Sequence, residues 1–140
     1  MENRQEKMFE MEALIRSVFK KLRHELNTVY DKELSRNEFF ILKNLFENGA
    51  KKASDLSKSL DVSASHITAV TDTLIEKGWI TRVRSDRDRR IVDIHITAEG
   101  ESIVQRYEKR KTEFLLSKFN HFTDEEIEVF IRLFQKLQQS

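Results

Sequence analysis

Residues 56–78 read LSKSLDVSASHITAVTDTLIEKG and residues 79–100 read WITRVRSDRDRRIVDIHITAEG, and the change of period between them decides the fold. In the first stretch Leu56 and Leu60 stand at i, i+4. After Asp61-Val62, Ser63 is a good N-cap, and Ile67, Val70, Thr71 and Leu74 then recur at helical spacing. Gly78 stands where a helix ends on a left-handed residue. Two short helices therefore meet at a tight turn, with Asp61 filling a turn position that it tolerates better than most residues. In the second stretch Trp79–Arg84 is short and β-rich, while Val92, Ile94 and Ile96 alternate with Asp93 and His95. The spacing predicts two antiparallel strands joined by a charged loop, Ser85-Asp86-Arg87-Asp88-Arg89-Arg90.

Working outward, Ser35 and Glu38 form a capping box ahead of Phe39, Phe40, Leu42, Leu45 and Phe46, a helix that stops at Gly49. Upstream, Met8, Met11, Ile15, Val18, Leu22, Leu26 and Val29 predict one long helix whose narrow apolar stripe suits a second helix better than a globular core. Downstream, a helix starts at Thr97, runs through Ile103, Val104, Tyr107, Phe114 and Leu115, and stops near Asn120. Thr123 and Glu126 cap another, with Ile127, Phe130, Phe134 and Leu137. Five of the ten phenylalanines lie from Phe114 to Phe134, more apolar area than two terminal helices can hide within one chain. The absence of proline, with only three glycines in 140 residues, disfavours a sandwich or barrel. The expected fold is mainly α with a small β-hairpin: a winged helix-turn-helix at 35–96, flanked by an N-terminal dimerisation helix at 1–34 and C-terminal dimerisation helices at 97–140.

Helix, helix, tight turn, helix and hairpin, in this order, make a winged helix-turn-helix. The run from Leu56 through Glu76-Lys77-Gly78-Trp79-Ile80, Asp86-Arg87-Asp88-Arg89-Arg90 and Ile94-His95-Ile96-Thr97-Ala98-Glu99-Gly100 resembles the multiple-antibiotic-resistance regulator (MarR) family. The resemblance extends to the flanks, because that family places one long helix before the winged domain and two after it. It implies a homodimer whose terminal helices interlock, two winged domains on one pseudo-palindromic site in double-stranded DNA, and Arg90 as the wing-tip residue entering the minor groove. It also implies a repressor released by a small-molecule inducer, with Phe9, Phe19, Phe39, Phe40 and Tyr107 as candidate pocket residues, although core packing is the simpler role for each singly. Arginine, common in the family at the position of Ala69, is missing here, so detailed site preference does not transfer.

The residues point the same way. From Lys77 to Arg90 six basic residues (Lys77, Arg82, Arg84, Arg87, Arg89, Arg90) face two acidic ones, a local balance of +4 in a chain of formal net charge +1. Such a hairpin suits phosphate binding, while an acidic remainder discourages indiscriminate coating of DNA. On the helix starting at Ser63, Ile67, Val70 and Leu74 set the buried side, so Ser65, Thr68, Ala69 and Asp72 point away, and His66 lies on the flank near the N-terminal turn. Asp72 suits solvent or a basic neighbour better than a phosphate. Asp88 and Arg90, two apart in an extended segment, share a side, so the carboxylate can orient the guanidinium. The expected DNA-binding set is Ser63, Ser65, His66, Thr68, Ala69, Arg82, Arg84, Arg87, Asp88, Arg89 and Arg90.

Other chemistry fits poorly. Ser63, His66 and Asp61 lack the bridging geometry of a triad and any oxyanion site, so no catalytic residues are expected. His24, His66, His95 and His121 are dispersed, and with no cysteine neither a metal site, a thiol switch nor a disulfide is expected. No cofactor is implied. No apolar run approaches the ~20 residues of a membrane span, and the polar N-terminus is unlike a signal peptide, so a cytoplasmic protein without membrane contact is expected. The alternative is a winged-helix protein-interaction module without DNA binding, which has no need of a +4 hairpin.

Overall fold

The computed structural model describes residues 2–140; Met1, with which the expected N-terminal segment begins, lies outside the described residues. Helix α1 (Glu2–Leu26) passes through a 3₁₀ turn (Asn27–Val29) into α2 (Arg36–Asn48). A two-residue strand β1 (Lys51–Lys52), α3 (Ala53–Leu60) and α4 (Ala64–Glu76) follow, then the hairpin β2 (Ile80–Arg84) and β3 (Val92–Ile96). Helices α5 (Ala98–Lys118) and α6 (Asp124–Gln138) complete the chain. The fold is a mainly helical winged helix-turn-helix with flanking helices.

The expected hairpin is part of a three-stranded antiparallel sheet in the order β1-β3-β2, with Lys51 opposite Ile94 and Arg82 also opposite Ile94 on the other side. A strand of two lysines has no alternation to show, so periodicity cannot reveal β1. The long N-terminal helix also ends earlier than expected. The Thr28 hydroxyl donates to the Glu25 carbonyl at 2.6 Å, tightening the chain into the 3₁₀ turn and seating Val29 in the interior.

The core gathers Leu34, Phe39, Leu42 and Leu45 of α2 and its approach, Leu56 of α3, Ile67 and Leu74 of α4, Ile80 and Ile94 of the sheet, and Val104 and Tyr107 of α5. Both capping boxes are formed, Ser35 with Glu38 and Thr123 with Glu126. Asp61 ends α3 in the left-handed region (φ 54°, ψ 50°), and Gly78 turns the chain out of α4 at φ 80°. Thr97 joins the wing to the body: its hydroxyl donates to the Gly78 carbonyl (2.8 Å) and accepts from the Gly100 amide (3.1 Å), while its own amide donates to the Trp79 carbonyl (2.9 Å). Gly100 is required by packing, since a Cβ there would run into the Trp79 carbonyl.

Candidate nucleic-acid interface

Helix α4 is held from below by buried Ile67, Thr71 and Leu74. Thr71 sits deeper than Val70 because its hydroxyl donates to the Ile67 carbonyl at 2.8 Å, which satisfies the one polar atom it brings inside. The opposite face exposes Ser63, Ser65, His66, Thr68, Ala69 and Asp72. Ser63 caps the helix by accepting from the His66 amide (3.1 Å), and its hydroxyl also meets that of Ser65 (3.1 Å). The Thr68 hydroxyl donates back to the Ala64 carbonyl (3.0 Å), leaving its methyl and an acceptor lone pair outward. The His66 ring is met by Asn37 of α2, with His66 Nε2 and Asn37 Nδ2 at 3.2 Å. This contact spans 29 residues and leaves no mark in the periodicity of either helix.

Two of the six basic residues are paired with carboxylates on another element. Lys77 Nζ donates to Glu38 Oε2 (2.7 Å) and the Glu33 carbonyl (2.6 Å), and it lies 5.0 Å from the Trp79 ring centroid. Arg82 Nη2 donates to Asp72 Oδ1 (2.7 Å) and to the Thr71 hydroxyl (3.3 Å). Asp72 thus has a basic partner, and the pair clamps strand β2 against α4. Arg82 stands in this ion pair, whereas the other basic residues of the expected set lie farther along the wing, from the end of β2 through the loop.

Arg84, Arg87, Arg89 and Arg90 are all exposed there. Arg84 Nη1 donates to the Arg89 carbonyl (3.2 Å), bracing the loop. Asp88 Oδ1 accepts from the Arg90 backbone N–H (3.0 Å) and from Nε (3.1 Å), and Oδ2 accepts from Nη2 (3.2 Å). These bonds from Arg90 hold the Asp88 carboxyl below the usual carboxylate range. The pairing expected from the sequence is present, but the reason differs. Ile91 N–H donates to the Asp88 carbonyl (2.9 Å), so residues 88–91 form a turn that the Asp88 side chain reinforces, not an extended segment. Forked contact leaves the Arg90 side chain 92% exposed yet oriented, which lowers the entropy lost when it docks.

A second polar cluster joins the segment after α1 to α5. Asp31 accepts from the Tyr107 hydroxyl (2.7 Å), Arg110 Nη1 (3.0 Å) and the Glu33 and Leu34 amides, and Arg106 reaches Glu33 (2.7 Å). The Tyr107 hydrogen bond, with those of Arg110 and the amides, pulls the Asp31 carboxyl down to about 2. Burial and the same bond push Tyr107 up to about 12. Of the candidate pocket residues, Phe39 and Tyr107 are buried in the core, while Phe9, Phe19 and Phe40 are exposed. Phe40 lines an open groove of about 390 Å³ with Arg36, Asn37, Asn44, Ser59 and Leu60. Among the described residues no cluster of three or more His, Asp or Glu side chains converges on a cation-sized space, and no helix is long and apolar enough to cross a membrane.

A serine-capped helix with an exposed polar face, beside a basic wing pinned at its tip, defines a winged helix-turn-helix DNA-binding protein. The MarR family model matches residues 34–92. The chain is 52% identical over 139 residues, 99% of each sequence, to the uncharacterized HTH-type transcriptional regulator YpoP of Bacillus subtilis. It therefore belongs to the MarR family of transcriptional regulators. Among solved structures it is similar to a MarR family protein from Bacillus stearothermophilus, with 28% identity, 96% and 95% of the two chains covered and a TM-score of 0.80. A MepR-like protein complexed with pseudoligands is 34% identical, with 91% of each chain covered and a TM-score of 0.62.

Proposed function

We propose that this regulator acts as a homodimer that binds a pseudo-palindromic operator in double-stranded DNA, represses transcription by occupying it, and is released by a small ligand. The observation that carries the reading is the juxtaposition of a capped α4, exposing Ser63, Ser65, His66, Thr68 and Ala69, with a wing whose Arg90 is exposed yet oriented by Asp88. The first face suits base edges in the major groove; the wing-tip cation suits the negative potential of a narrow minor groove. Arg84, Arg87 and Arg89 fit phosphate contacts, and Arg82 acts through the Asp72 clamp that sets the wing against α4.

Homodimerisation is supported by the uncovered apolar faces of α1 and α6, and it assigns residues 1–34 and 97–140 to the dimer. Ligand release is supported by the Phe40 groove, whose size suits a small molecule and whose Arg36 guanidinium lies 5.3 Å from the Phe40 ring centroid, a pairing suited to an aromatic anion. A regulator of this kind works in the cytoplasm. Selection of binding sites from randomised duplexes tests the reading. Recovery of an inverted repeat with fixed half-site spacing is expected; recovery of no sequence at low salt would favour the protein-interaction module instead.

A further inference from the structure

We propose that Asn37 of α2 fixes the tautomer of His66, so that the ring presents a hydrogen-bond donor to the DNA and disfavours cytosine at the base it meets. The proposal rests on the DNA-binding reading above and adds to it a residue outside the recognition helix. Asn37 Nδ2 carries only hydrogens, so at 3.2 Å the His66 Nε2 facing it is the acceptor. In a neutral imidazole the other nitrogen then bears the proton, which puts an N–H at Nδ1.

Both partners are held. Asn37 is half-buried at the second position of α2, a helix whose start is locked by the reciprocal Ser35–Glu38 box. His66 is the third residue of α4, with its amide committed to Ser63 Oγ. Its neighbours on the exposed face do not offer a directed donor: the Thr68 hydroxyl hydrogen goes to the Ala64 carbonyl, the Ser65 hydroxyl is shared with Ser63, and Ala69 offers a methyl. In the major groove guanine, adenine and thymine each present an acceptor, while cytosine presents only its N4 donor. A ring whose one hydrogen sits at Nδ1 therefore discriminates against cytosine where that edge meets the base; an unlocked ring can offer either an N–H or a lone pair and loses that discrimination.

The experiment compares full-length parent, Asn37→Ala, His66→Ala and the double variant, in buffer of about pH 8 where imidazole is ordinarily neutral. Ring ¹⁵N shifts of His66 should report protonation at Nδ1 in the parent and a shift toward the Nε2–H form in Asn37→Ala. Site selection should show cytosine depleted at one position per half-site in the parent. Asn37→Ala should relax that depletion about fivefold, the size of one net hydrogen bond, without changing the salt dependence. In the His66→Ala background the Asn37 change should add nothing at that position. An Nε2–H parent ring, or unchanged shifts and unchanged selection in Asn37→Ala, would overturn the positioning role. A parent that selects no sequence would instead overturn the DNA-binding reading, and the base preference with it, while the ring shifts would still report the tautomer.

Discussion

At the scale of single residues, two carboxylates do unlike work. Asp88 pins Arg90, and the spacing of the two residues made that pair legible in the sequence, although the Asx-reinforced turn that produces it was not. If the wing tip enters the minor groove, Arg90→Ala should weaken binding to the selected duplex on the order of tenfold per subunit and lower the salt slope by up to ~1 per lost contact. Asp88→Ala should cost less, because the cation survives and only its orientation is lost. Titrations across a salt series check both, and parent-like binding by Arg90→Ala at every salt concentration would remove the wing from the interface. Asp31 instead holds the chain after α1 to α5, a role invisible in sequence because Tyr107 lies 76 residues away. Its carboxyl is held down at about 2, below its ordinary value near 4 in an unfolded chain, so its contribution to stability is complete above that ordinary value and is lost as pH falls through about 2. The parent should therefore melt above Asp31→Asn at neutral pH, and the gap should narrow as the solution is taken down toward pH 2; a gap that does not change with pH would refute the linkage.

At the scale of elements, legibility follows how much of each signal is local. Caps and period changes are local, so α2, α4, α6 and the β2–β3 pair follow from Ser35, Ser63, Thr123 and the alternation of Val92, Ile94 and Ile96. Strand β1 owes its existence to β3 and could not be read from Lys51 and Lys52. The pairing of Lys77 and Arg82 was hidden for the same reason: a charge count reports where cations are, not that Glu38 and Asp72 lie opposite them. Thr97 and Gly100 were recognisable by resemblance, and the structure supplies the cause. Thr97 closes the start of α5 onto the end of α4, and Gly100 lets that helix approach the Trp79 carbonyl more closely than any Cβ permits. Because the obstacle is backbone, Gly100→Ala should destabilise the protein by about 1–3 kcal/mol, despite the better helix propensity of alanine. Thermal unfolding checks this, and an unchanged or raised Tm would show that the α5–wing junction gives way easily.

At the scale of the whole molecule, the apolar surface is divided unevenly. The C-terminal end of the α1 stripe is seated, with Leu22 and Leu26 half-buried, Val29 buried, and Glu25 paired to Lys118 at 2.6 Å. The rest of the stripe lies open, with Met8, Met11, Ile15 and Val18 exposed, and Phe9, Leu14 and Phe19 on the same helix are exposed as well. On α6 no residue is buried, and Phe130, Ile131, Leu133, Phe134 and Leu137 face outward although Phe119, Phe122 and Phe130 pack ring against ring. So many large apolar side chains exposed on two helices are unusual on a monomer, and both helices lie outside the winged domain. In the proposed homodimer a second copy of the chain would cover like with like under two-fold symmetry, which would also set the two α4 helices at a fixed separation. Light scattering at micromolar concentration should therefore give twice the 16.7 kDa chain mass. Selected operators should carry half-site centres ~10 base pairs apart, or a multiple of one helical turn. Replacing Leu133 and Leu137, exposed and outside the winged core, with glutamate should give a monomer that keeps the near-native fold by circular dichroism but loses the preference for paired half-sites. A folded parent monomer would sink the dimer and the paired-site geometry together. A Leu133→Glu/Leu137→Glu protein that remains dimeric would move the contact from α6 to α1.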